Sequence, residues 1–221
     1  MYPIKITAIE TFDYSGDVYN LHLESKEQHG DDLFWIHGIS KLISHNCFPK
    51  DLNALFKISQ DVNQESKLLH SVIDANESRP LKFVNTMLNY LLPDKVAIWG
   101  LAFKPETDDI RDAAAIKVIK LLLDKGIQVN VHDPMALDNT KKVFGDSINY
   151  FESQYECLLK VDCLLLCTEW STYRMPNWDV MKKLMYQNYI FDGRNQYDPQ
   201  TVKQIGFNYI SIGREPALCQ Q

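Results

Sequence analysis

The sequence predicts an α/β protein whose larger part is a doubly wound parallel sheet. Two observations predict it. Apolar runs of strand length recur along residues 93–213, and they read as buried strands. Helical segments separate them, and alternating strands and helices are the pattern of a parallel sheet covered on both faces. A helical segment and a small N-terminal β segment precede this sheet.

Residues 1–46 read as short strands. Ile4 to Ile9 alternates in part, and Val18 to Glu24 alternates at period two. Tyr14-Ser15-Gly16-Asp17 between them is turn chemistry, and Ser25 to Asp32 is a polar loop. Leu33–Ile36 and Ile39–Ile43 are two more strand candidates, split by Gly38. Residues 50–92 read as helical. Leu52, Leu55, Phe56 and Ile58 share one helical face, as do Leu68, Leu69, Val72 and Ile73. Pro49 fits a helix start, and Pro80 is expected to interrupt or bend the second helix. Within 93–213, strands are expected at Val96–Trp99, Val129–His132, Cys163–Cys167, Tyr189–Phe191 and Tyr209–Ile212. Helices are expected at Ala113–Leu123, Tyr155–Leu159 and Val180–Met185. The expected domains are therefore 1–46, 47–92 and 93–221.

Composition narrows the function. A chain of 221 residues with 45% hydrophobic residues can bury a sizeable core. Its net charge of −6 argues against a general nucleic-acid binder, which needs a basic face. No apolar run is long enough to span a membrane, and the N-terminus lacks the basic-then-apolar layout of a signal peptide. The five cysteines are odd in number and contain no CxxC pair. Neither zinc ligation nor a disulfide framework fits, so a reducing cytoplasm is expected.

Four short motifs carry chemistry. Cys47-Phe48-Pro49-Lys50-Asp51 puts a thiol, an amine and a carboxylate at a helix entry, where the helix dipole favours a thiolate. Gly100-Leu101-Ala102-Phe103-Lys104-Pro105 follows a strand directly. Thr107-Asp108-Asp109-Ile110-Arg111 precedes a helix, and Phe191-Asp192-Gly193-Arg194-Asn195 closes another strand. Each of the last three sets a cation beyond a strand end, where a phosphate can sit. Parallel sheets bind ligands at those ends. Singly, such residues are more often core thiols or surface ion pairs.

In this order the motifs closely resemble the UDP-glucose/GDP-mannose dehydrogenase family. CFPKD, GLAFKPxTDDxR, TEW at 168–170 and FDGRNxYDP at 191–199 span 47–214 in family order. The Lys-Asp ending of CFPKD, with TEW and FDGRN, is more similar to members acting on UDP-glucose than to relatives acting on N-acetyl sugars. The resemblance implies a Rossmann-like domain over 93–221 that binds a UDP-sugar. It implies oxidation of the sugar's primary alcohol to a carboxylate, with two NAD+ per turnover. Cys47 is then the nucleophile, carrying a thiohemiacetal and afterwards a thioester. Lys50 stabilises the oxyanion and Asp51 orients or deprotonates the hydrolytic water. Phe103, Lys104 and Arg194 contact the nucleotide sugar. Arg111 and the segment Cys47, Phe48, Pro49, Lys50 reach NAD. Residues 50–92 belong to the central region through which the family forms homodimers. A GDP-mannose or other nucleotide-sugar substrate, and a fragment that binds nucleotide sugar without activity, are the alternatives.

The sequence departs from the family in one large respect. Nothing in it matches GxGxxG, and no strand–glycine-rich–helix unit precedes Cys47. The implied NAD-binding domain is missing, so the chain alone is expected neither to bind NAD well nor to turn over.

The residues ahead of Cys47 carry a second resemblance. An asparagine side-chain amide can attack its own main-chain carbonyl, forming a succinimide and cutting the chain after itself. A neighbouring histidine can supply the proton to the leaving amine, and a following cysteine can accept an acyl group. His45-Asn46-Cys47 has those three groups in that order. With Val18-Tyr19-Asn20-Leu21-His22-Leu23-Glu24 and Phe34-Trp35-Ile36-His37-Gly38 upstream, residues 2–46 resemble the C-terminal blocks of an intein. In that resemblance His45, Asn46 and Cys47 perform splicing, and Cys47 afterwards serves the dehydrogenase. The partner is a polypeptide with the NAD-binding half and the other intein half. Met1 falls just before the last intein-like strands, as in the C-terminal piece of a split intein or a chain that begins inside a contiguous one.

The remaining cysteines, Cys157, Cys163, Cys167 and Cys219, read as packing residues or tail. Trp99, Trp170 and Trp178 read as packing, with Trp170 near enough to a strand end to line the pocket. His70, His132 and Asp133-Pro134 read as fold elements.

Overall fold

The computed structural model describes residues 6–14, 16–23, 35–36, 42–43 and 48–219, with side chains over 51–219. The chain divides into two compact units, Met1–Glu77 and Ser78–Gln221.

In the first unit, β1 (Ile6–Tyr14) pairs antiparallel with β2 (Gly16–Leu23), with an irregularity between Ile6 and Ala8. The expected strands thus form a hairpin, and Ser15 of its expected turn lies outside the described residues. β3 (Trp35–Ile36) pairs antiparallel with β4 (Leu42–Ile43). The other residues of these two expected strands, 33–34 and 39–41, lie outside the described ones. Helix α1 (Phe48–Asp61) begins at Pro49's neighbour, consistent with proline's tolerance in a first helical turn. Ser59 and Ser66 hydroxyls meet at 2.7 Å across the turn to α2 (Lys67–Tyr90). α2 runs unbroken through Pro80, so the expected interruption there does not occur. Phe83, Val84 and Met87, in the same helix, are buried, and this packing offsets the missing amide hydrogen bond.

The second unit is a six-stranded, wholly parallel sheet in the order β10-β9-β8-β5-β6-β7. Its strands are β5 (Lys95–Trp99), β6 (Gln128–His132), β7 (Asn149–Tyr150), β8 (Cys163–Leu166), β9 (Tyr189–Asp192) and β10 (Asn208–Ser211). Counted within the sheet, the order is 3-2-1-4-5-6, and its direction reverses between β5 and β8. Alternate residues bury against opposite helical layers, which is why the strands are apolar throughout. Val96, Ile98, Val129, Val131, Cys163 and Leu165 pack with α2 and with α3 (Ala114–Asp124). Ala97, Trp99, Leu164, Leu166, Ile190 and Tyr209 face the other way, towards Tyr173, Met181, Val202 and Phe207.

Connections follow local chemistry. α5 (Trp178–Leu184) is capped by the Asn177 side chain, which accepts from Val180 N at 3.1 Å. α6 (Pro199–Ile205) is capped by Asp198, starts on Pro199 and ends on Gly206 at φ 99°. Three elements were not expected: α4 (Leu137–Phe144), the two-residue β7 and α6. The helix expected at Tyr155–Leu159 is a single 3-10 turn, Glu156–Leu158. Among the described residues no helix is long and apolar enough to cross a membrane.

Candidate functional site at the strand-order reversal

Where strand order reverses, the chain after β5 and the chain after β8 lead to opposite helical layers, the place where open parallel sheets bind ligands. Gly100 opens the loop after β5. It stands at φ 89°, and a Cβ there would lie 2.4 Å from the Thr168 Cβ. Only glycine lets the two loops come this close. Thr168 Oγ1 donates to the Ala102 carbonyl at 2.6 Å and locks them together.

Three of the expected ligand contacts lie in loops at this edge. Phe103 and Lys104 lie five residues or fewer beyond β5, Phe103 half-buried and Lys104 exposed. The Lys104 ammonium stands 5.5 Å from the Phe103 ring centroid. Phe103 N donates to the Asp109 carbonyl at 3.0 Å, which folds 103–109 into a closed loop. Arg194 follows β9, and β9 neighbours β8 in the sheet. Its Nη2 donates to Glu169 Oε1 at 2.7 Å, and its Nε donates to Glu169 Oε2, a two-pronged pair. Burial pushes Glu169 up, but Arg194's hydrogen bonds and charge outweigh this and hold it below the usual carboxylate range. The same pair raises Arg194 against the opposing effect of burial.

Buried carboxylates anchor these loops. Asp192, fully buried at the end of β9, accepts from Arg194 N (2.7 Å), Gln196 N (2.7 Å) and the Tyr209 hydroxyl (2.7 Å). Asp133 follows β6 and is also buried. It accepts from the backbone of both Leu101 and Ala102 and from the Trp170 indole. Beside it, burial pushes the His132 imidazole down, partly opposed by the Asp133 charge. The His132 ring lies 2.8 Å from the Tyr173 hydroxyl.

Sequence reasoning missed Glu169, Asp133 and Asp192 as site builders. Glu169 was within a recognised motif, and its acid beside a loop cation was the available signal. Asp133, beside Pro134, read as a fold element. Trp170 is buried with its indole committed to Asp133, so packing is its main role.

Arg111 is exposed, and its guanidinium is held by Asp109 at 2.6 Å (Nη2 to Oδ2). That pair and a backbone bond from Arg111 N hold the Asp109 carboxyl down at about 2. Asp51 is exposed in the first turn of α1, in the other unit. Phe48, Pro49 and Lys50 occupy the start of α1, and their side chains lie outside the described ones. His45, Asn46 and Cys47 lie outside the described residues altogether. Cys163 is buried and its thiol pushed well up, and burial lifts Cys167 to about 12, so neither is a nucleophile at neutral pH. Among the described residues no three His, Cys, Asp or Glu side chains are grouped to hold a metal ion.

The described residues hold no glycine-rich pyrophosphate cradle for a dinucleotide. The turn after the sheet's first strand reads Gly100-Leu101-Ala102-Phe103-Lys104-Pro105, with one glycine where a pyrophosphate cradle needs three. Arg111, the cation expected to reach NAD, is paired with Asp109 through Nε and Nη2, a pair that does not use all the donors of a guanidinium and so does not bar a ligand.

Residues 97–199 match the family described as "UDP-glucose/GDP-mannose dehydrogenase family, UDP binding domain". The UDP-glucose 6-dehydrogenase of Rickettsia conorii is 35% identical over 173 residues, covering 76% of this chain and 40% of that protein. The chain thus spans about 40% of the length of the curated dehydrogenases it matches. A UDP-glucose dehydrogenase structure from Pyrobaculum islandicum superposes with a TM-score of 0.63 at 31% identity, covering 76% of this chain and 37% of that one. An uncharacterized protein of Methanocaldococcus jannaschii is 33% identical over 215 residues, 91% of this chain but only 23% of that protein. This last match covers more than the residues from Cys47 onward, so it takes in part of the first 46. The relative is also about twice the length of the dehydrogenases.

Proposed function

We propose that this chain is the C-terminal part of an NAD-dependent UDP-glucose 6-dehydrogenase and that its second unit holds the UDP-sugar. The observation that carries this reading is the strand-order reversal, with the loops of Lys104, Glu169 and Arg194 gathered beside it. The family match over 97–199 and the 35% identical Rickettsia conorii enzyme support it. A diphosphate carries charge that Lys104 and Arg194 complement, and Phe103 offers an apolar face beside it.

In the whole enzyme, Cys47 carries the sugar's terminal carbon as a thiohemiacetal and then as a thioester. Lys50 stabilises the oxyanion, and Asp51 orients the water that releases the carboxylate. Both oxidations need a hydride acceptor. The described residues make no glycine-rich cradle for one. A preceding NAD-binding half supplies that acceptor, and the completed enzyme forms homodimers through the central helices.

Residues 1–46 act as an intein C-terminal segment. His45 and Asn46 release them, and Cys47 accepts the preceding half. The β1–β2 hairpin supports this reading, as does the Methanocaldococcus jannaschii match that extends into these residues.

The test of the nucleotide reading is isothermal titration of the full chain with UDP, UDP-glucose and GDP-mannose. Saturable binding of UDP and UDP-glucose, with GDP-mannose weaker by tenfold or more (about 1.4 kcal/mol), is expected. Equal or tighter GDP-mannose binding moves the substrate to the other branch of the family. Absence of binding to all three overturns the reading.

A further inference from the structure

Asp133 is a buried carboxylate that accepts five hydrogen bonds. Its Oδ2 takes Leu101 N at 2.7 Å, Ala102 N at 3.2 Å and the Trp170 indole N–H at 3.1 Å. Its Oδ1 takes Met135 N at 2.9 Å and Ala136 N at 2.8 Å. Asp133 is 2% exposed, so these donors replace its water entirely.

The distribution of the donors matters more than their number. The Oδ1 pair closes Asp133's own turn into α4, an ordinary structural use. The Oδ2 donors come from two other loops. Leu101 and Ala102 directly precede Phe103 and Lys104. Trp170 directly follows Glu169, which holds Arg194. One oxygen therefore ties the lysine-bearing loop to the loop that carries Arg194's partner. The Thr168 hydroxyl bond to Ala102 and the close approach at Gly100 brace the same joint.

We propose that Asp133 is a positioning residue for nucleotide-diphosphate binding, joining the Gly100–Lys104 loop to Trp170 and so to the Glu169–Arg194 pair at the carboxyl ends of the strands. The inference rests on the nucleotide reading above. Asp133 touches no ligand itself. It acts through the Leu101 and Ala102 amides and through Trp170. An amide in its place keeps one acceptor oxygen and turns a donor towards the other set. Either the turn into α4 or the inter-loop joint is then left with N–H facing N–H.

The experiment uses the full chain. UDP affinity is measured for wild type, Asp133→Asn, Lys104→Ala and the double variant, below the unfolding transition of each. Asp133→Asn is expected to weaken UDP binding by about tenfold. If it acts by placing Lys104, the loss must shrink to about twofold or less once Lys104 is gone, because residues acting in one unit are not additive. A residue that serves stability alone gives additive losses or none, and that result overturns the inference. A second measurement needs no variant at Asp133. The Leu101 and Ala102 amide resonances and the Trp170 indole N–H resonance, the last assigned with Trp170→Phe, should all move when UDP is added to wild type. Should UDP bind while these three stay in place, the joint is uncoupled from the ligand and the inference fails. If wild type does not bind UDP, the nucleotide reading fails first and takes this inference with it.

Discussion

Arg194 and Glu169, from loops after neighbouring strands, form a two-pronged ion pair with Nη2 2.7 Å from Oε1. Both side chains remain partly exposed, at 41% and 32%. Solvent screening therefore limits the pair's contribution to stability to about 1 kcal/mol or less. Its value lies in aim, because a guanidinium held at two points presents its remaining donors in a fixed direction. Arg194→Ala is expected to weaken UDP binding by about tenfold to a hundredfold. Glu169→Gln should weaken it less, since the amide oxygen still accepts one of the two N–H groups. Titration calorimetry checks both, and tighter binding in Glu169→Gln would mean that Glu169 competes with phosphate instead of orienting its partner.

The same pair predicts a pH dependence. Glu169's carboxyl is lowered on folding, so its contribution is present above its unfolded value and fades as pH falls through the folded one. The Arg194 pair should thus persist at pH 4.5, where an ordinary glutamate is half protonated. Glu169→Gln should remove this contribution at neutral pH and leave the strongly acid end unchanged. Urea unfolding of both proteins across pH 3–7 measures the difference, and identical pH profiles would refute it.

Asp109 offers a sharper titration. The Arg111 side-chain hydrogen bonds come first among the causes that bring it to about 2, followed by the bond from Arg111 N. Its contribution is present above the ordinary 3.8 and is lost only as pH falls through about 2. Carbon-detected NMR of the Asp109 carboxyl should give a midpoint near 2, rising towards 3.8 in Arg111→Gln. An unchanged midpoint in the variant would show that Arg111 is not the cause.

Gly100 tests how tightly the two loops are joined. Alanine there meets Thr168 Cβ at 2.4 Å, Thr168 N at 2.6 Å and Thr168 Cα at 2.8 Å, and two of these are backbone atoms that no rotamer change can move. It also enters a positive φ of 89°. Gly100→Ala is expected to cost about 3 kcal/mol or more. Gly126, at φ 75° with open space around a Cβ, is the control, and alanine there should cost about 1 kcal/mol. Chemical denaturation distinguishes them, and equal costs would mean that the loops yield easily.

The sheet was legible because its strands are covered on both faces. Val96 and Ile98 bury one way and Ala97 and Trp99 the other, so the run is apolar at every step. β7 escaped notice because Asn149 and Tyr150 sit at the sheet edge, where one exposed and one half-buried residue make no pattern. α4 escaped because its packed face is short, with the polar Thr140 buried and Leu137 and Phe144 only partly buried against the core. Pro80 does not interrupt its helix, and the burial of Phe83, Val84 and Met87 offsets its local preference. At the candidate site, the placement of Phe103 and Lys104 beyond β5 and of Arg194 beyond β9 was legible from motif order. Asp133's role was not, because its donors at Leu101, Ala102 and Trp170 lie 32, 31 and 37 residues away in sequence. Such a joint exists only once the parallel strands bring their carboxyl ends together.

The remaining prediction concerns the junction at Asn46 and Cys47. In the proposed splicing, the upstream half is first transferred to the Cys47 thiol as a thioester. The Asn46 side-chain nitrogen then attacks its own main-chain carbonyl, the bond to the Cys47 nitrogen breaks, and His45 supplies the proton to that nitrogen. The freed amine of Cys47 takes the acyl group from its own sulfur, leaving a peptide bond and a thiol ready for catalysis. Mixed with a polypeptide carrying the NAD-binding half and the complementary intein half, the wild-type chain should yield residues 47–221 joined to that half and a released piece ending at Asn46. Asn46→Ala should block the release, and Cys47→Ala should abolish the joining. Intact mass spectrometry reads all three products directly. Release of the same piece from Asn46→Ala would exclude asparagine cyclisation. An unchanged wild-type mass beside a partner that demonstrably binds would leave residues 1–46 as an inert extension, with UDP binding by the second unit unaffected.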